Sequence, residues 1–315
     1  MDILIGPIVY RLGHMVFIHE RGVRFPLGPP NSIMKFLRVG SLNREKPAII
    51  EEDGIIRDLS SVISDLNSTT INQNTIEKIK KINLNKLPEI NENIRIGPCV
   101  ANPEKFIGIG LNYSDHAEET GMKPPSEPII FIKANSCICG PNDNVIIPKN
   151  SKKTDWEIEL GIVIGKKAQY ISEDKSLEYI FGYCIVNDIS EREFQIERSG
   201  GQWDKGKGCD TFGPIGPYLV TKNEIKNIQD LNLELKLNGK ITQKGNTNKM
   251  IFGVKHIVSY LSHFMTLNPG DIITTGTPPG VGMARNPQIF LKPGDEMILN
   301  IDNLGSQKQK VISMK

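Results

Sequence analysis

Apolar and polar residues alternate most regularly between residues 231 and 242. Leucine occupies every second position of residues 231–237, and Asn238-Gly239 follows before the chain resumes at Lys240. Asn-Gly between two alternating segments is a strong hairpin signal, since both residues tolerate the positive φ of a tight turn. Residues 48–50 and 55–57 flank an Asp-Gly turn and predict a second hairpin. The pattern therefore predicts a chain rich in antiparallel strands.

Helical periodicity is clearest in residues 252–264, where apolar residues recur on one helical face. A helix start is also predicted at residues 58–62, and residues 68–95 read as a solvated connector with one short helix. Strands and helices do not alternate in a βαβ rhythm, and no internal repeat is visible. An α+β fold dominated by mixed or antiparallel sheet is therefore predicted.

The chain is expected to have three parts. Residues 34–96 are predicted to form a small β-rich N-terminal domain and its connector, and residues 97–315 a larger catalytic domain. Residues 1–33 do not have the basic start or the uninterrupted apolar core of a signal peptide, since Asp2, Arg11 and His14 interrupt the pattern. We expect this segment to be an extension, or the product of a wrongly assigned start.

Composition narrows the class of protein. The 315 residues include 38 Lys+Arg and 36 Asp+Glu, a formal charge of +2, which argues against binding to a nucleic acid backbone. Five cysteines without a CxxC pair favour neither a disulfide framework nor a zinc site, and Cys137 and Cys139 are expected to be buried thiols. No apolar run is long enough to span a membrane. A cytoplasmic protein acting on a small molecule is therefore expected.

Three acidic residues are candidates for metal ligands. Glu157 and Glu159 lie two residues apart in the predicted strand 155–165, so both point to one face. Asp188 follows a second apolar run at residues 183–186. Three carboxylates without His or Cys would suit Mg²⁺, Mn²⁺ or Ca²⁺. The alternatives are a strand whose polar face lies in water and an Asp188 that only closes a turn.

A His–Glu pair is the candidate for acid–base chemistry. Residues 112–119 predict a helix start with Asp115 as its N-cap, and His116 and Glu119 then share one face at spacing i, i+3. A carboxylate that orients an imidazole is typical of a general base for water. A structural histidine is the alternative, and Gly108-Ile109-Gly110 is only a weak signal for a dinucleotide loop.

Two further segments could bind anions, and a third could line a pocket. Arg192 and Gln195 are three residues apart and could together bind a carboxylate, and Lys207 lies between two glycines where it could meet a developing oxyanion. Thr277 lies in a Gly- and Pro-rich loop at residues 276–282 that could line a pocket. Each pattern is also common on ordinary surfaces.

Taken in order, these segments resemble the fumarylacetoacetate hydrolase superfamily. The resemblance covers residues 97–315, and residues 34–96 more loosely. It is carried by Gly110-Leu111-Asn112-Tyr113 with His116, Asp155-Trp156-Glu157-x-Glu159, Asn187-Asp188-x-Ser190-x-Arg192, Gly206-Lys207-Gly208, Thr211-Phe212-x-Pro214-x-Gly216-Pro217 and Gly276-Thr277-Pro278.

The resemblance implies a role for each matching residue. Glu157, Glu159 and Asp188 would bind Mg²⁺ or Mn²⁺. His116 with Glu119 would activate water, on a helix that closes over the substrate. Lys207 would be catalytic, and Tyr113, Arg192, Gln195 and Thr277 would contact substrate. The family fold is a mixed β-roll that is usually a homodimer.

The resemblance also implies an activity. The subgroup that it resembles through residues 190–203 includes hydrolases of 2,4-diketo-3-deoxy sugar acids and proteins labelled ureidoglycolate lyase. The primary expectation is metal-dependent C–C hydrolysis of such a β-diketo acid to pyruvate and a second acid. Lyase, decarboxylase or isomerase chemistry in the same pocket, or a metal-containing binding module, are the alternatives.

One position departs from the pattern. Fumarylacetoacetase itself has an acidic metal ligand shortly before its catalytic histidine, whereas this chain has Leu111-Asn112 there. This predicts a site of three carboxylates and weakens fumarylacetoacetate as the substrate.

Overall fold

The computed structural model describes residues 34–51 and 54–314. The helices are α1 (Gln73–Lys80), α2 (Ser114–Thr120), α3 (Asp204–Lys207) and α4 (Val254–Ser262). The strands are β1 (Lys35–Val39), β2 (Lys46–Ile50), β3 (Ile56–Asp58), β4 (Glu89–Ile90), β5 (Phe106–Gly110), β6 (Ile129–Lys133), β7 (Ile138–Cys139), β8 (Val145–Ile147), β9 (Thr154–Asp155), β10 (Ile158–Ile164), β11 (Ile180–Asn187), β12 (Ser190–Glu191), β13 (Gly213–Thr221), β14 (Asn232–Leu237), β15 (Lys240–Asn246), β16 (Ile272–Thr274), β17 (Glu296–Ile301) and β18 (Gly305–Ser313).

A large mixed sheet carries the centre of the fold. Its order is β4-β3-β2-β1-β13-β11-β10-β16-β5-β6, and β7 also pairs with β13. Most neighbours are antiparallel, whereas β16 pairs with β5 and β7 pairs with β13 in parallel. β10 and β11 lie in the middle of this sheet, and every residue of both strands is buried. The predicted α+β fold with a mixed sheet is confirmed.

A five-stranded sheet, β15-β14-β17-β18-β8, packs against this centre. It contains the predicted hairpin, in which β14 and β15 pair around Asn238 and Gly239. Leu233, Leu235 and Leu237 are buried, as their period-two spacing predicts. A third, two-stranded sheet joins β9 to β12 beside the ends of β10 and β11.

The N-terminal strands continue the large sheet. β2 and β3 pair as the predicted hairpin, although residues 52 and 53 of its turn lie outside the described residues. β1 pairs with β13 through Lys35–Val220 and Phe36–Leu219, so the sheet runs through the predicted domain division near residue 97. That division stays a prediction, as does the extension at residues 1–33, which lies outside the described residues.

The prediction of a helix start at residues 58–62 was wrong. Asp58 ends β3, and its carboxylate accepts a hydrogen bond from the Ser60 N–H at 2.8 Å while it pairs with Lys46. Leu59 is fully buried. The chain therefore turns at Ser60, because the Asp58 side chain satisfies the local backbone in place of a helical turn.

The three other predicted helices are present as α1, α2 and α4. α4 lies within the predicted range 252–264, and α1 is the short helix of the connector. Ile76 and Ile79 of α1 are buried, so this helix packs on the core. All five cysteines are free, and Cys137 and Cys139 are buried as predicted. In the described ranges, 34–51 and 54–314, no helix combines the length and apolarity needed to cross a membrane.

Candidate metal and catalytic site

Two of the candidate metal ligands lie where strand β10 begins and strand β11 ends. β10 and β11 are antiparallel, with Ile158 opposite Asn187. Glu157 precedes β10, and Asp188 follows β11. The Asp188 N–H donates to the Glu157 carbonyl at 2.9 Å, so the two carboxylates start from adjacent backbone. The register of one strand pair therefore brings together residues that are 31 positions apart in the sequence.

The three carboxylates converge in the interior. One oxygen each from Glu157, Glu159 and Asp188 lies within 4.8 Å of the others. None of these residues is more than 6% exposed, so neither a solvated strand face nor an exposed turn describes them.

Three buried cations surround this cluster. Lys207 Nζ lies 2.8 Å from Glu157 Oε2 and 2.7 Å from Asp188 Oδ2. Arg192 Nη2 lies 2.7 Å from the other oxygen of Glu157. Lys133 Nζ lies 2.6 Å from Asp188 Oδ1 and also donates to the Lys207 carbonyl. Such pairing is what allows several charges to be buried together.

The pKa values of Glu157 and Glu159 are shifted in opposite directions. Burial alone would raise the pKa of Glu157, but the charges of Lys207 and Arg192 outweigh burial and hold the pKa far below its ordinary value. Burial, followed by the charges of Asp188 and Glu157, raises the pKa of Glu159 well above its ordinary value. Glu159 is thus the carboxylate least compensated by protein cations.

This donor set fits a hard divalent cation. Its ligand atoms are carboxylate oxygens, which Mg²⁺ and Mn²⁺ prefer, and a cation between them would offset the repulsion on Glu159. The Thr274 hydroxyl and the Gly276 N–H both donate to Glu159 Oε2, which fixes the side chain in place. Glu157, Glu159 and Asp188 are therefore the residues that could hold such a metal.

The candidate dyad lies on α2. His116 Nδ1 is 3.0 Å from Glu119 Oε2, across the i, i+3 spacing of the helix. The Gly280 N–H donates to both oxygens of Glu119, at 3.0 and 3.1 Å. Burial would raise the pKa of Glu119, but the hydrogen bonds from His116 and Gly280 outweigh it and lower the pKa. An ionised Glu119 is therefore available to orient the imidazole.

The predicted cap of this helix was wrong. Tyr113 is the N-cap and makes no side-chain capping bond, whereas Asp115 lies in the first turn and accepts from the His116 N–H. Asn112 ends the preceding loop with its side chain bonded to backbone atoms of Phe252 and Thr275. That buried amide fixes where the chain enters the helix, so the helix begins before Asp115.

Arg192 immediately precedes a single π-helical turn, Glu193–Glu197, which contains Gln195, and both residues line the same cavity as His116 while they bond to protein groups. Arg192 donates through Nε to Asp155 at 2.9 Å and through Nη1 to Gln195 at 2.9 Å, in addition to its pair with Glu157. Asp155 also accepts the N–H groups of Gly282 and Met283. Arg192 thus joins the carboxylate cluster to the loop after residue 276, and its predicted contact with substrate stays a prediction.

The remaining residues with a predicted role in catalysis or substrate contact are Lys207, Thr277 and Tyr113. Lys207 and Thr277 line the same cavity as His116. The Thr277 hydroxyl donates to the Ile158 carbonyl and accepts from Gln243. Tyr113 is fully buried, and among the described residues its hydroxyl has no hydrogen-bond partner. Burial and the Glu159 charge raise the pKa of Tyr113.

Lys133 is a site residue that the sequence patterns did not reveal. It is fully buried at the end of β6, where it contacts Asp188 and shares a strand face with Phe131. The available signal was a lysine that ends an apolar run, Ile-Ile-Phe-Ile-Lys. A lysine in that place usually ends a strand in solvent, so the pattern alone did not distinguish it.

Glu157, Glu159 and His116 line one small cavity of about 80 Å³, and Trp203, Met122 and Ile196 also line it. A larger groove of about 710 Å³ lies elsewhere, beside α4. That groove contains no cluster of three carboxylates. We place the site at the smaller cavity because two of the clustered acids, the cations Arg192 and Lys207, and His116 all line it.

Comparison with known proteins agrees with this geometry. The fumarylacetoacetate (FAA) hydrolase C-terminal family matches residues 105–312. A protein from Burkholderia ambifaria (strain MC40-6), provisionally named as a hydrolase, is 54% identical over 277 residues, which are 88% of this chain and 98% of that protein.

Two solved structures share the fold. One is maleylpyruvate hydrolase from Sphingobium sp. SYK-6 in complex with manganese (II) ion and pyruvate, with TM-score 0.75, 26% identity and coverage of 90% of this chain and 100% of that chain. The other is 5-carboxymethyl-2-hydroxymuconate delta-isomerase from Mycobacterium smegmatis, with TM-score 0.70, 30% identity and coverage of 90% and 100%. The chain therefore belongs to the fumarylacetoacetate hydrolase family.

Proposed function

We propose that this protein is a metal-dependent hydrolase that cleaves a C–C bond of a β-diketo acid and releases pyruvate and a second carboxylic acid. The observation that carries the proposal is that Glu157 and Glu159, two members of a cluster of three buried carboxylates, line one cavity together with His116, which is paired with Glu119. The manganese and pyruvate in the Sphingobium maleylpyruvate hydrolase structure support the same class of chemistry.

Glu157, Glu159 and Asp188 would hold Mg²⁺ or Mn²⁺, which would supply Lewis-acid activation of the 2-oxo acid. His116, oriented through Nδ1 by Glu119, accepts a proton from water at Nε2. The hydroxide adds to the distal carbonyl. The C–C bond then breaks and releases the second carboxylic acid, while its electron pair passes to the pyruvate enolate. The proton held at His116 Nε2 is then transferred to the enolate carbon, which gives pyruvate. Lys207, which lines the cavity, stabilises the developing negative charge.

The test is turnover of acetylpyruvate, followed by loss of enol absorbance and by coupled detection of pyruvate. We expect activity to disappear in EDTA and to return with Mg²⁺ or Mn²⁺. Glu159→Gln should weaken Mn²⁺ binding measured by calorimetry at least tenfold, whereas Glu118→Gln, an exposed neighbour on α2, should not. Full activity in protein shown to be metal-free would contradict the proposal.

A keto–enol isomerase, or a lyase or decarboxylase, is the second candidate, and the Mycobacterium smegmatis isomerase among the structural relatives favours it. These reactions need a stabilised enolate but no activated water. A change in enol absorbance that releases no pyruvate and persists in His116→Ala would indicate that chemistry.

We also propose that the protein is a cytoplasmic homodimer without nucleic acid or membrane partners. Light scattering of the purified protein tests the dimer.

A further inference from the structure

The larger groove beside α4 shares no lining residue with the cavity that contains His116. We call it the α4 groove. Its walls are the segment Glu173–Tyr179, strand β11, residues 222–229 and the first turn of α4. Its volume of about 710 Å³ lies within the range of about 300–1,000 Å³ that is typical of small-molecule sites. The α4 groove is therefore large enough to hold a ligand of its own.

Much of the α4 groove is apolar. Leu177, Ile225, Ile228 and Val254 all line it. Val254 and Ile225 are buried, and Leu177 and Ile228 are half-buried. Small-molecule sites combine such a lining with a few polar groups that fix the orientation of the ligand. The apolar lining would accordingly hold the hydrocarbon body of a ligand.

The first turn of α4 presents free hydrogen-bond donors to the groove. Gly253 is the N-cap and has no side chain that could cap the helix. The Val254 N–H donates to Gln229 Oε1 at 2.6 Å, but among the described residues no acceptor meets the N–H groups of Lys255 and His256. All of these residues line the groove. Unpaired N–H groups at a helix N-terminus attract anions.

Three lysines, Lys222, Lys226 and Lys255, line the same groove. Lys222 Nζ donates to the carbonyls of Leu177 at 2.6 Å and Glu178 at 3.2 Å, which uses two of its three donors. Burial lowers the pKa of Lys222, and the Glu178 charge offsets this effect only in part. The protein thus compensates this cation incompletely, and an anion in the groove would be a further partner for it.

Two carboxylates also line the groove, but they leave the lysines in excess. Glu173 Oε2 lies 3.1 Å from His256 Nδ1, so this carboxylate already has a partner. Glu178 is exposed to solvent. The lining therefore favours an anion over a cation.

Tyr183 adds an observation that does not depend on the helix. It lies on β11, is only 2% exposed and lines the groove. Within the described part of the chain its hydroxyl has no hydrogen-bond partner, and burial alone raises its pKa. A buried hydroxyl without a partner is costly unless a ligand or water satisfies it. The groove is where such a partner has access to Tyr183.

From these observations we propose that the α4 groove is a second ligand site, which binds a small organic anion, a monocarboxylate with a hydrocarbon body. The carboxylate lies against the first turn of α4 and Lys222, the Tyr183 hydroxyl donates to the ligand, and the hydrocarbon body covers the apolar lining. The inference does not rest on the proposed function, because the two cavities share no residue.

The experiment measures the binding of octanoate, acetate and octylammonium to the Mg²⁺-loaded protein by calorimetry. We expect octanoate to bind about tenfold more tightly, or better, than either of the others, because acetate lacks the hydrocarbon body and octylammonium lacks the negative charge. In nuclear magnetic resonance spectra, octanoate should shift the amide signals of Lys255 and His256.

Variants locate the binding. Lys222→Met should weaken octanoate binding about tenfold and Tyr183→Phe about fivefold, because each removes one hydrogen-bond donor to the ligand and Lys222→Met also removes a charge. Lys240→Met, which changes an exposed lysine outside the groove, should leave the affinity unchanged. Glu159→Gln should also leave it unchanged, since Glu159 lines the other cavity.

Three results would each overturn the inference. They are octylammonium binding as tight as that of octanoate, an octanoate affinity that neither Lys222→Met nor Tyr183→Phe changes, and no measurable binding of octanoate. Loss of octanoate binding in Glu159→Gln with full binding in Lys222→Met would likewise overturn it, because the anion would then occupy the carboxylate cavity.

Discussion

Asp188 is a buried carboxylate whose two oxygens each contact a different lysine, Lys133 and Lys207. Burial would lower the pKa of Lys133, but the Asp188 charge outweighs burial and raises it. Lys133 and Asp188 form a buried ion pair, in which each group compensates the burial of the other.

Replacement of Lys133 should be strongly destabilising. Lys133→Met leaves the buried Asp188 carboxylate with only one of its two lysine partners, Lys207, and we expect a loss of about 3 kcal/mol in the free energy of unfolding, measured in urea. Lys236→Met, which removes an exposed pair with Glu234, should change it by less than about 0.5 kcal/mol. Equal effects of the two substitutions would contradict the assigned role of Lys133.

Glu119 is the residue that orients the candidate base. Glu119→Gln keeps the shape but removes the charge, and we expect kcat to fall about 10²-fold or more with little change in KM. The measurement is steady-state turnover of acetylpyruvate, with Glu118→Gln as the control.

Because the pKa of Glu119 is lowered from 4.5, its carboxylate stays ionised through neutral pH and is protonated only in more acidic solution. Loss of activity between pH 7 and pH 5 in the wild type would therefore require another group.

At the scale of elements, the β14–β15 hairpin shows what a local pattern can specify. Leucine alternation determined which face is buried, and Asn238-Gly239 determined the turn. Both turn residues have positive φ, 51° and 79°. No long-range contact is needed to explain either feature, which is why the sequence predicted them.

The turn glycine can be tested directly. A Cβ on Gly239 would meet no atom within 4 Å, so Gly239→Ala changes only the backbone conformational cost. We expect a loss of about 1 kcal/mol in stability, because an L-residue is strained at φ 79°. Thermal or urea unfolding measures it, and Lys240→Ala, exposed in the next strand, is the control. A neutral Gly239→Ala would show that the turn can relax.

Helix starts were the elements least well predicted. Asp58 and Asp115 both have the residue type of an N-cap, yet neither caps a helix. Asp58 bonds Ser60 and Lys46, and the start of α2 is set by the buried Asn112 amide. In both places tertiary partners outweighed the local preference.

At the scale of the molecule, the site connects both large sheets and the loops between them. Asn187, at the end of β11, accepts from the Glu157 N–H and donates to Gln309 on β18. Arg192 joins Asp155 to Glu157, and Asp155 holds the loop after residue 276. Binding at the carboxylates should therefore stabilise the whole described unit.

Metal binding should raise the melting temperature. At a free Mn²⁺ concentration about 100 times Kd, linkage predicts about 2.7 kcal/mol of stabilisation. For a domain of this size we expect a rise of about 5 °C over EDTA-treated protein, measured by calorimetry. Glu159→Gln should lose most of this rise. An equal rise in the variant would mean that Mn²⁺ binds elsewhere.

The sequence by itself determined the strands with regular alternation, the central buried strand around Glu157 and Glu159, and the i, i+3 relation of His116 and Glu119. These features depend on residues close in sequence, whose geometry follows from strand and helix periods. Together with the ordered motifs, they also identified the family.

Only the tertiary structure decided which charges meet. Lys133 and Lys207 both pair with Asp188, and Arg192 pairs with Asp155. Gly108 lies against the Phe131 ring and Gly110 against the Trp203 ring. Each of these contacts joins segments that are distant in the sequence. The physical reason is that the cost of burying a charge, or the space for a ring, depends on every element packed around it. A local pattern contains no information about those neighbours.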